Sequence, residues 1–229
     1  MVSLESLISI LTEKETSGDI GVDIKGIAYH SKLVQPGFLF ACIPGWIADG
    51  HLFAAEAVKN GAVALLCARW LTDLPVAQVK VPDSRLACAL LSHKFYGYPS
   101  QRLNLVGITG TNGKTTTSYL TESILKAAGQ KTGLLGTVEC RIGDQPVRIE
   151  RTTPESVDLQ RILAQMVEAG VDTAVMEVSS HAIDLKRVAG CAFRVIAFTN
   201  LSQDHLDYHG TLDNYFQVKW RLFSATSSQ

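Results

Sequence analysis

Residues 106–120 read "VGITGTNGKTTTSYL": an apolar run, three glycines, a lysine, then threonines opening a segment of helical composition. Glycine has no Cβ, so the amides from Gly110 through Thr111, Asn112 and Gly113 to Lys114 can crowd onto an anion. The start of the helix that follows adds the positive end of its dipole. In such a loop Lys114 suits the β- and γ-phosphates of a nucleotide, and the Thr115 hydroxyl suits Mg²⁺. The strict pattern G-x-x-x-x-G-K-[ST] is not met, because Ile108 stands five places before Gly113 and Gly107 one further back. A G-x-G-x-x-G dinucleotide fingerprint is excluded by the spacing. The loop specifies a nucleoside triphosphate and no particular chemistry.

Outward from the loop, "LNLVGIT" reads as the strand before it and 114–128 as the helix after it, closing at Gly129. Strands are expected in "KTGLLGT", "TAVMEVS" and "VIAFTNL", helices over 156–169 (closing at Gly170) and in "LDNYFQVKWRLF", and a hairpin around Gly143-Asp144. Strands alternating with helices imply a mostly parallel sheet with ligand sites at the strands' carboxyl ends.

The first hundred residues read as a smaller mixed α/β module. Leu4, Leu7, Ile8 and Leu11 predict a helix, 51–60 another that ends at Gly61, and "SRLACALLSHKFY" a third. Strands are expected in "IKGIAY", "GFLFACI", "AVALLCA" and "VAQVKV", and "GYPSQRLN", residues 97–104, reads as a linker. The expected organisation is thus 1–100 and 101–229, the second part being a P-loop, mononucleotide-binding α/β domain.

Lys+Arg 21 against Asp+Glu 22 gives a net charge of -1, which removes any global electrostatic argument for nucleic acid or an anionic membrane. The five cysteines include no C-x-x-C pair and read as small buried apolar residues in a reducing compartment. "MVSLESLISILTEKE" has no basic n-region, and "AVALLCA" is far too short to span a bilayer, so a cytoplasmic protein without membrane insertion is expected.

Three further places invite chemistry. Glu177 ends the strand "TAVMEV", where a carboxylate can either ligate Mg²⁺ opposite the loop or simply face water. His205 and His209 form an H-x-x-x-H pair that on a helix could hold Zn²⁺, but no third ligand accompanies them and 207–210 suggests a turn. Lys219 stands among Phe216, Val218, Trp220 and Phe223, a setting that is costly for an unpaired ammonium unless its chain reaches solvent.

"GITGTNGKTTT" resembles the Mur ligase superfamily, whose signature is G-x-x-G-T-[NK]-G-K-[ST]. "HSKLVQPGFLFACIPGWIADGHLF", "RTTPESVDLQ", "MEVSSHAIDLKRVAG" and "FTNLSQDHLDYHGTLDNYFQVKWRLF" are similar, in order, to the UDP-N-acetylmuramoyl-tripeptide synthetases of that superfamily, the MurE family. The resemblance implies an N-terminal UDP-MurNAc-binding domain and a central ATP-binding domain. The reaction it implies is an ATP- and Mg²⁺-dependent ligation. The γ-carboxylate of D-Glu in UDP-MurNAc-L-Ala-D-Glu becomes an acyl phosphate, which the amine of a diamino acid then attacks. It favours meso-diaminopimelate over L-lysine and a monomer.

Carried over residue by residue, Gly110 to Thr116, Thr116 included, match the ATP segment. Thr115, Glu177, His205 and Lys219 match the metal site, with Lys219 carbamylated by CO₂; Lys114, His205 and Lys219 match the catalytic set. Thr152, Thr153, Ser179 and Arg187 match substrate contacts, as do Ser31, Trp46, Ile47 and Ala48 on the uridine side. The hydroxyls are expected to donate to substrate oxygens. "HSK" where "DSR" is frequent, "GWIADG" where some relatives have "GHQADG", and Leu185 in place of a glutamine depart from the pattern. Relatives are roughly twice as long, so the chain is expected to be a fragment with little ligase activity alone, lacking the amino-acid-selecting domain. A non-catalytic nucleotide-binding remnant, and another Mur or folylpolyglutamate-type ligase, are the alternatives.

Overall fold

The computed structural model describes residues 2–45, 48–149 and 151–224. Two compact units emerge, Met1–Phe95 and Tyr96–Gln229.

In the first unit the chain runs β1 (Val2–Ser3), α1 (Leu4–Ile8), β2 (Glu15–Ser17), β3 (Asp23–Ile24), β4 (Gly26–Ala28) and β5 (Phe38–Ala41). It continues as α2 (Ala54–Lys59), β6 (Ala62–Cys67), β7 (Ala77–Lys80) and α3 (Ser84–Phe95). β4, β5, β6 and β7 pair in parallel, and β2 closes one edge antiparallel in the order β2-β7-β6-β5-β4. β1 and β3 form a separate ribbon. Phe40, Cys42, Leu65 and Cys67 alternate along two adjacent strands, so one pleat face delivers all four to a single core with Ala54 and Ala57 of α2.

The second unit contains β8 (Asn104–Thr109), α4 (Lys114–Ala127), β9 (Thr132–Leu135), β10 (Cys140–Ile142), β11 (Gln145–Val147) and α5 (Ser156–Glu168). It ends with β12 (Thr173–Glu177), α6 (Ser180–Asp184), β13 (Val195–Phe198), α7 (Leu206–His209) and α8 (Leu212–Ser224). The sheet order is β11-β10-β9-β12-β8-β13. β9, β12, β8 and β13 are parallel, while the β10–β11 hairpin adds antiparallel at one edge. The mostly parallel α/β architecture expected from the alternation is the one observed.

Period-two alternation splits this unit into two cores. Leu105, Leu135, Ala174, Met176 and Ile196 point to one face, where α5 and α8 pack; Val106, Ile108, Leu134, Val175 and Ala197 point to the other, against Tyr119 and Leu125 of α4. α5 buries Leu159, Ile162, Leu163 and Met166, a strict i, i+3, i+4, i+7 stripe. Gly133 lets that stripe close on the sheet, since a Cβ there would lie 2.6 Å from the Met166 sulfur.

Residues 97–104 do not form a free linker. Pro99–Gln101 is a 3₁₀ turn with Pro99 and Ser100 buried, and the Ser100 hydroxyl accepts the Ala192 amide at 2.9 Å, which ties the stretch into the second unit. The expected turn at 207–210 is a helical turn, α7, ended by Gly210 at φ 76. Leu163→Ala, at a fully buried site, should cost about 2–5 kcal/mol. Leu120→Ala, 61% exposed on α4, should stay within about 0.5 kcal/mol. Urea unfolding of both variants checks the contrast.

Candidate functional site

The four parallel strands end side by side, and each end carries a polar feature: the glycine loop after β8, Thr137 after β9, Glu177 closing β12, and Asn200 after β13. In the loop, Gly110 at φ 144 accepts a conformation that L side chains rarely adopt, and a Cβ there would sit 2.0 Å from Thr199 Oγ1. Gly113, at φ 83, precedes α4 without any side-chain cap.

Not all the loop amides are free for an anion. Thr111 donates its amide to the Asn200 carbonyl at 3.0 Å and Asn112 to Asn200 Oδ1 at 3.0 Å, while Asn200 Nδ2 returns a bond to the Asn112 carbonyl at 3.1 Å. The expectation that every amide from Gly110 to Lys114 converges on phosphate is corrected by this clamp. The amides without an intrahelical acceptor lie further on, at the first turn of α4, Lys114 to Thr116.

Lys114 folds back onto its own loop, donating to the carbonyls of Gly110 at 2.8 Å and Thr111 at 2.7 Å. Burial pushes its pKa down, against the pull of Glu177 and Asp204. Lys219 donates to the same Gly110 carbonyl at 2.9 Å. The two cations therefore converge on one oxygen.

α8 explains how Lys219 gets there. Its buried residues are Tyr215, Val218, Lys219 and Leu222, so the lysine fills a core position of an amphipathic helix and is 1% exposed rather than reaching solvent. Its ammonium lies 4.5 Å from the centroid of the Tyr215 ring. Burial, with Lys114 adding, pushes its pKa down to about 8.

Glu177 is fully buried. Its Oε1 accepts the Thr137 amide at 2.9 Å, and its Oε2 accepts the hydroxyls of Thr115 at 3.0 Å and Thr137 at 3.1 Å. A Cβ on Gly136 would come within 2.5 Å of Oε1, so the carboxylate occupies space that only glycine leaves open. Three donors fill three of the roughly four acceptor positions of a carboxylate. Thr115 spends its proton on Glu177 and keeps its lone pairs. A hard-oxygen set of this kind, with one carboxylate position and one hydroxyl oxygen left, fits Mg²⁺, which takes few protein ligands and holds waters and phosphates besides.

His205 precedes α7 at φ 52, its side chain 47% exposed, with its ring 4.9 Å from that of His181 and 6.2 Å from that of Tyr215. It thus shares the Tyr215 ring with Lys219. The H-x-x-x-H pair does not form a zinc site. His205 lies outside the helix, His209 Nε2 is engaged with the Ser180 hydroxyl at 3.0 Å, and no group of three His, Cys, Asp or Glu is gathered for a metal among the described residues.

Of the expected substrate residues, Thr152 lies 3.1 Å from Thr137 Oγ1. Thr153 donates to the Glu177 carbonyl at 2.9 Å; it does not cap α5, whose N-cap is Glu155. Ser179 caps α6 by accepting the Ala182 amide at 3.2 Å. Arg187 is buried, not a solvated surface charge, and meets the Thr153 carbonyl at 3.2 Å and Glu155 at 2.9 Å. In the first unit Ser31 and Ala48 line a cavity of about 140 Å³ with Tyr29, His30, Phe40 and Phe53, and the Ser31 hydroxyl donates to Glu56 at 2.7 Å. Trp46 and Ile47 lie outside the described residues. The sequence reading missed Thr137, Asn200 and Tyr215. The first two stand at carboxyl strand ends and were findable by that rule.

The profile described as "Mur ligase middle domain" matches residues 108–229, and that described as "Mur ligase family, catalytic domain" matches 23–96. The chain belongs to the Mur ligase family. It is 52% identical over 208 residues to a UDP-N-acetylmuramoyl-L-alanyl-D-glutamate–2,6-diaminopimelate ligase of Geobacillus thermodenitrificans, covering 90% of this chain and 42% of that relative. A protein of the same name from Syntrophomonas wolfei is 47% identical over 229 residues, covering all of this chain and 47% of the relative. Among solved structures, one of a 2,6-diaminopimelate ligase of that name superposes with a TM-score of 0.79 at 28% identity, over 97% of this chain and 45% of the other. The chain thus spans less than half the length of the curated Mur ligases it matches.

The Lys219 pKa has a stability consequence. Between about 8 and 10.5 the unfolded chain holds a proton on this residue that the folded chain has released, so stability rises with pH across that window. The full penalty, present below about pH 8, amounts to roughly 3 kcal/mol. Lys219→Met should therefore be more stable than the parent at pH 7 and lose most of that rise, as read from urea unfolding across the range.

Proposed function

We propose that this Mur ligase chain carries the nucleotide-binding and acid-substrate-binding parts of an ATP-dependent amide ligase acting in the cytoplasm. Its substrates are UDP-MurNAc-L-Ala-D-Glu and a diamino acid. The observation that carries the reading is the convergence of Lys114 and Lys219 on the Gly110 carbonyl, next to a buried Glu177 bonded to Thr115. The relatives' names support 2,6-diaminopimelate over L-lysine.

A carboxylate is a poor electrophile toward an amine. Phosphorylation of the D-Glu carboxylate gives it a leaving group; the amine nitrogen then adds to the carbonyl carbon, and the C–O bond to phosphate breaks. The first-turn amides of α4 receive the triphosphate. Lys114 leaves the Gly110 and Thr111 carbonyls and pairs with β- and γ-phosphate oxygens, which gives an anionic partner to the charge that burial disfavours. Thr115, Glu177, His205 and Lys219 would hold Mg²⁺, which when bound neutralises charge on the γ-phosphate.

Lys219 is prepared for its own chemistry. With its pKa at about 8, an appreciable fraction is the free amine near neutral pH. That nitrogen adds to CO₂ and releases one proton, giving a carbamate. The site then exchanges a cation for an anion, and the carbamate keeps an N–H for the Gly110 carbonyl. The buried core position supports this reading, because no solvent competes for the amine.

Calorimetric titration of the 229-residue chain with MgATP tests the reading. Binding is expected, with Lys114→Ala weakening it at least about tenfold; absence of binding by the parent would overturn it. In ¹³C-bicarbonate a carbamate resonance is expected in the parent and not in Lys219→Arg. In a full-length ligase carrying these units, Lys219→Ala should abolish tripeptide formation, and added CO₂ should not restore it.

A further inference from the structure

Proton accounting around Glu177 gives a role to Thr137. A carboxylate only accepts, and Thr137 Oγ1 has a single proton, which Glu177 Oε2 takes at 3.1 Å. The 3.1 Å contact between Thr137 Oγ1 and Thr152 Oγ1 must then use the Thr152 proton, with Thr152 donating and Thr137 accepting. The chain has one polarity: Thr152 to Thr137 to Glu177. Toward any other group Thr152 has only lone pairs to offer. Thr153 spends its proton on the Glu177 carbonyl and one lone pair on the Ser179 amide at 3.3 Å. Ser179 Oγ accepts from Ala182, and its proton has no acceptor among the described residues.

We propose that Thr137 is a positioning residue that joins the two poles of the site. Its amide and hydroxyl fix Glu177 for the cation, and its oxygen converts Thr152 into a hydrogen-bond acceptor. Thr152 then recognises a peptide N–H of the acid substrate and Ser179 recognises its oxygens. This replaces the expectation that all these hydroxyls donate to substrate, and it rests on the ligase reading above. A substrate carboxylate set against Thr152 would meet lone pairs only, whereas an amide N–H is complementary.

The test uses Thr137→Val, which keeps the amide and the side-chain volume but removes the hydroxyl, and Thr137→Ser, which keeps both donors. The 229-residue chain is titrated with ADP, with and without Mn²⁺. ADP alone should bind the Val variant as it binds the parent, while the gain in affinity that Mn²⁺ confers should fall about tenfold and return in the Ser variant. An unchanged Mn²⁺ gain, or an equal loss with and without Mn²⁺, would overturn the positioning role. In a second arm UDP-MurNAc-L-Ala-D-Glu is compared with an analogue whose alanyl–glutamate amide is an ester. The parent should prefer the amide roughly fivefold, and Thr137→Val should lose that preference; equal binding of both by the parent would refute the acceptor assignment. If the parent binds neither ADP nor the UDP-linked substrate, the ligase reading fails and this inference falls with it. Normal binding with an unmoved Val variant sinks this inference alone.

Discussion

A carboxylate cut off from water must be given its donors by the chain, and in this Mur ligase Glu177 imposes that demand at the centre of the sheet. β12 lies between β9 and β8, so the residues following those two strands flank its last residue. From one side come the amide and hydroxyl of Thr137, from the other the hydroxyl of Thr115 on the first turn of α4. Gly136 is the counterpart of this arrangement, because any side chain there would take the place of the carboxylate. The parallel order of the strands is therefore what assembles the site; no single loop contains it.

Charge balance is the second organising feature. Two ammonium groups share the Gly110 carbonyl, and one of them stands in a helix core position against a tyrosine ring. Neither has a carboxylate partner within ion-pair distance among the described contacts, and Glu177 and Asp204 act on Lys114 only through space. Burial without neutralisation is what lowers both pKa values. Such a place favours an incoming anion, and it also favours loss of a proton from Lys219. Phosphate binding and carbamate formation relieve the same excess of positive charge, which is why they are proposed together.

Much of this was legible in the sequence because it rests on local rules. Strand, glycine loop and helix around Lys114 follow from residue type and spacing. The apolar neighbours of Lys219 in sequence mark a costly setting for an ammonium, although the residues that share its buried face are Tyr215, Val218 and Leu222, while Trp220 is exposed. Glu177 could be placed at a strand end. Its being wholly buried, and its being held by Thr137, depend on which strands neighbour β12, and sheet order is a tertiary property. The Asn200 clamp is of the same kind, closing over 88 residues of sequence. α6 escaped notice because its five residues are too few for a period to show. The 97–104 stretch misled for the opposite reason: its turn-forming residues do make a turn, but packing of Ser100 against Ala192 makes it part of the second unit.

Crystals of the chain grown with a non-hydrolysable ATP analogue and Mn²⁺, with the manganese located by its anomalous signal, would test the central claim most directly. The account predicts a manganese peak against Glu177 and Thr115, with the terminal phosphates on the amides of Lys114 to Thr116 and the Lys114 ammonium turned from Gly110 onto them. A manganese peak remote from Glu177, or phosphates bound away from the first turn of α4, would contradict it.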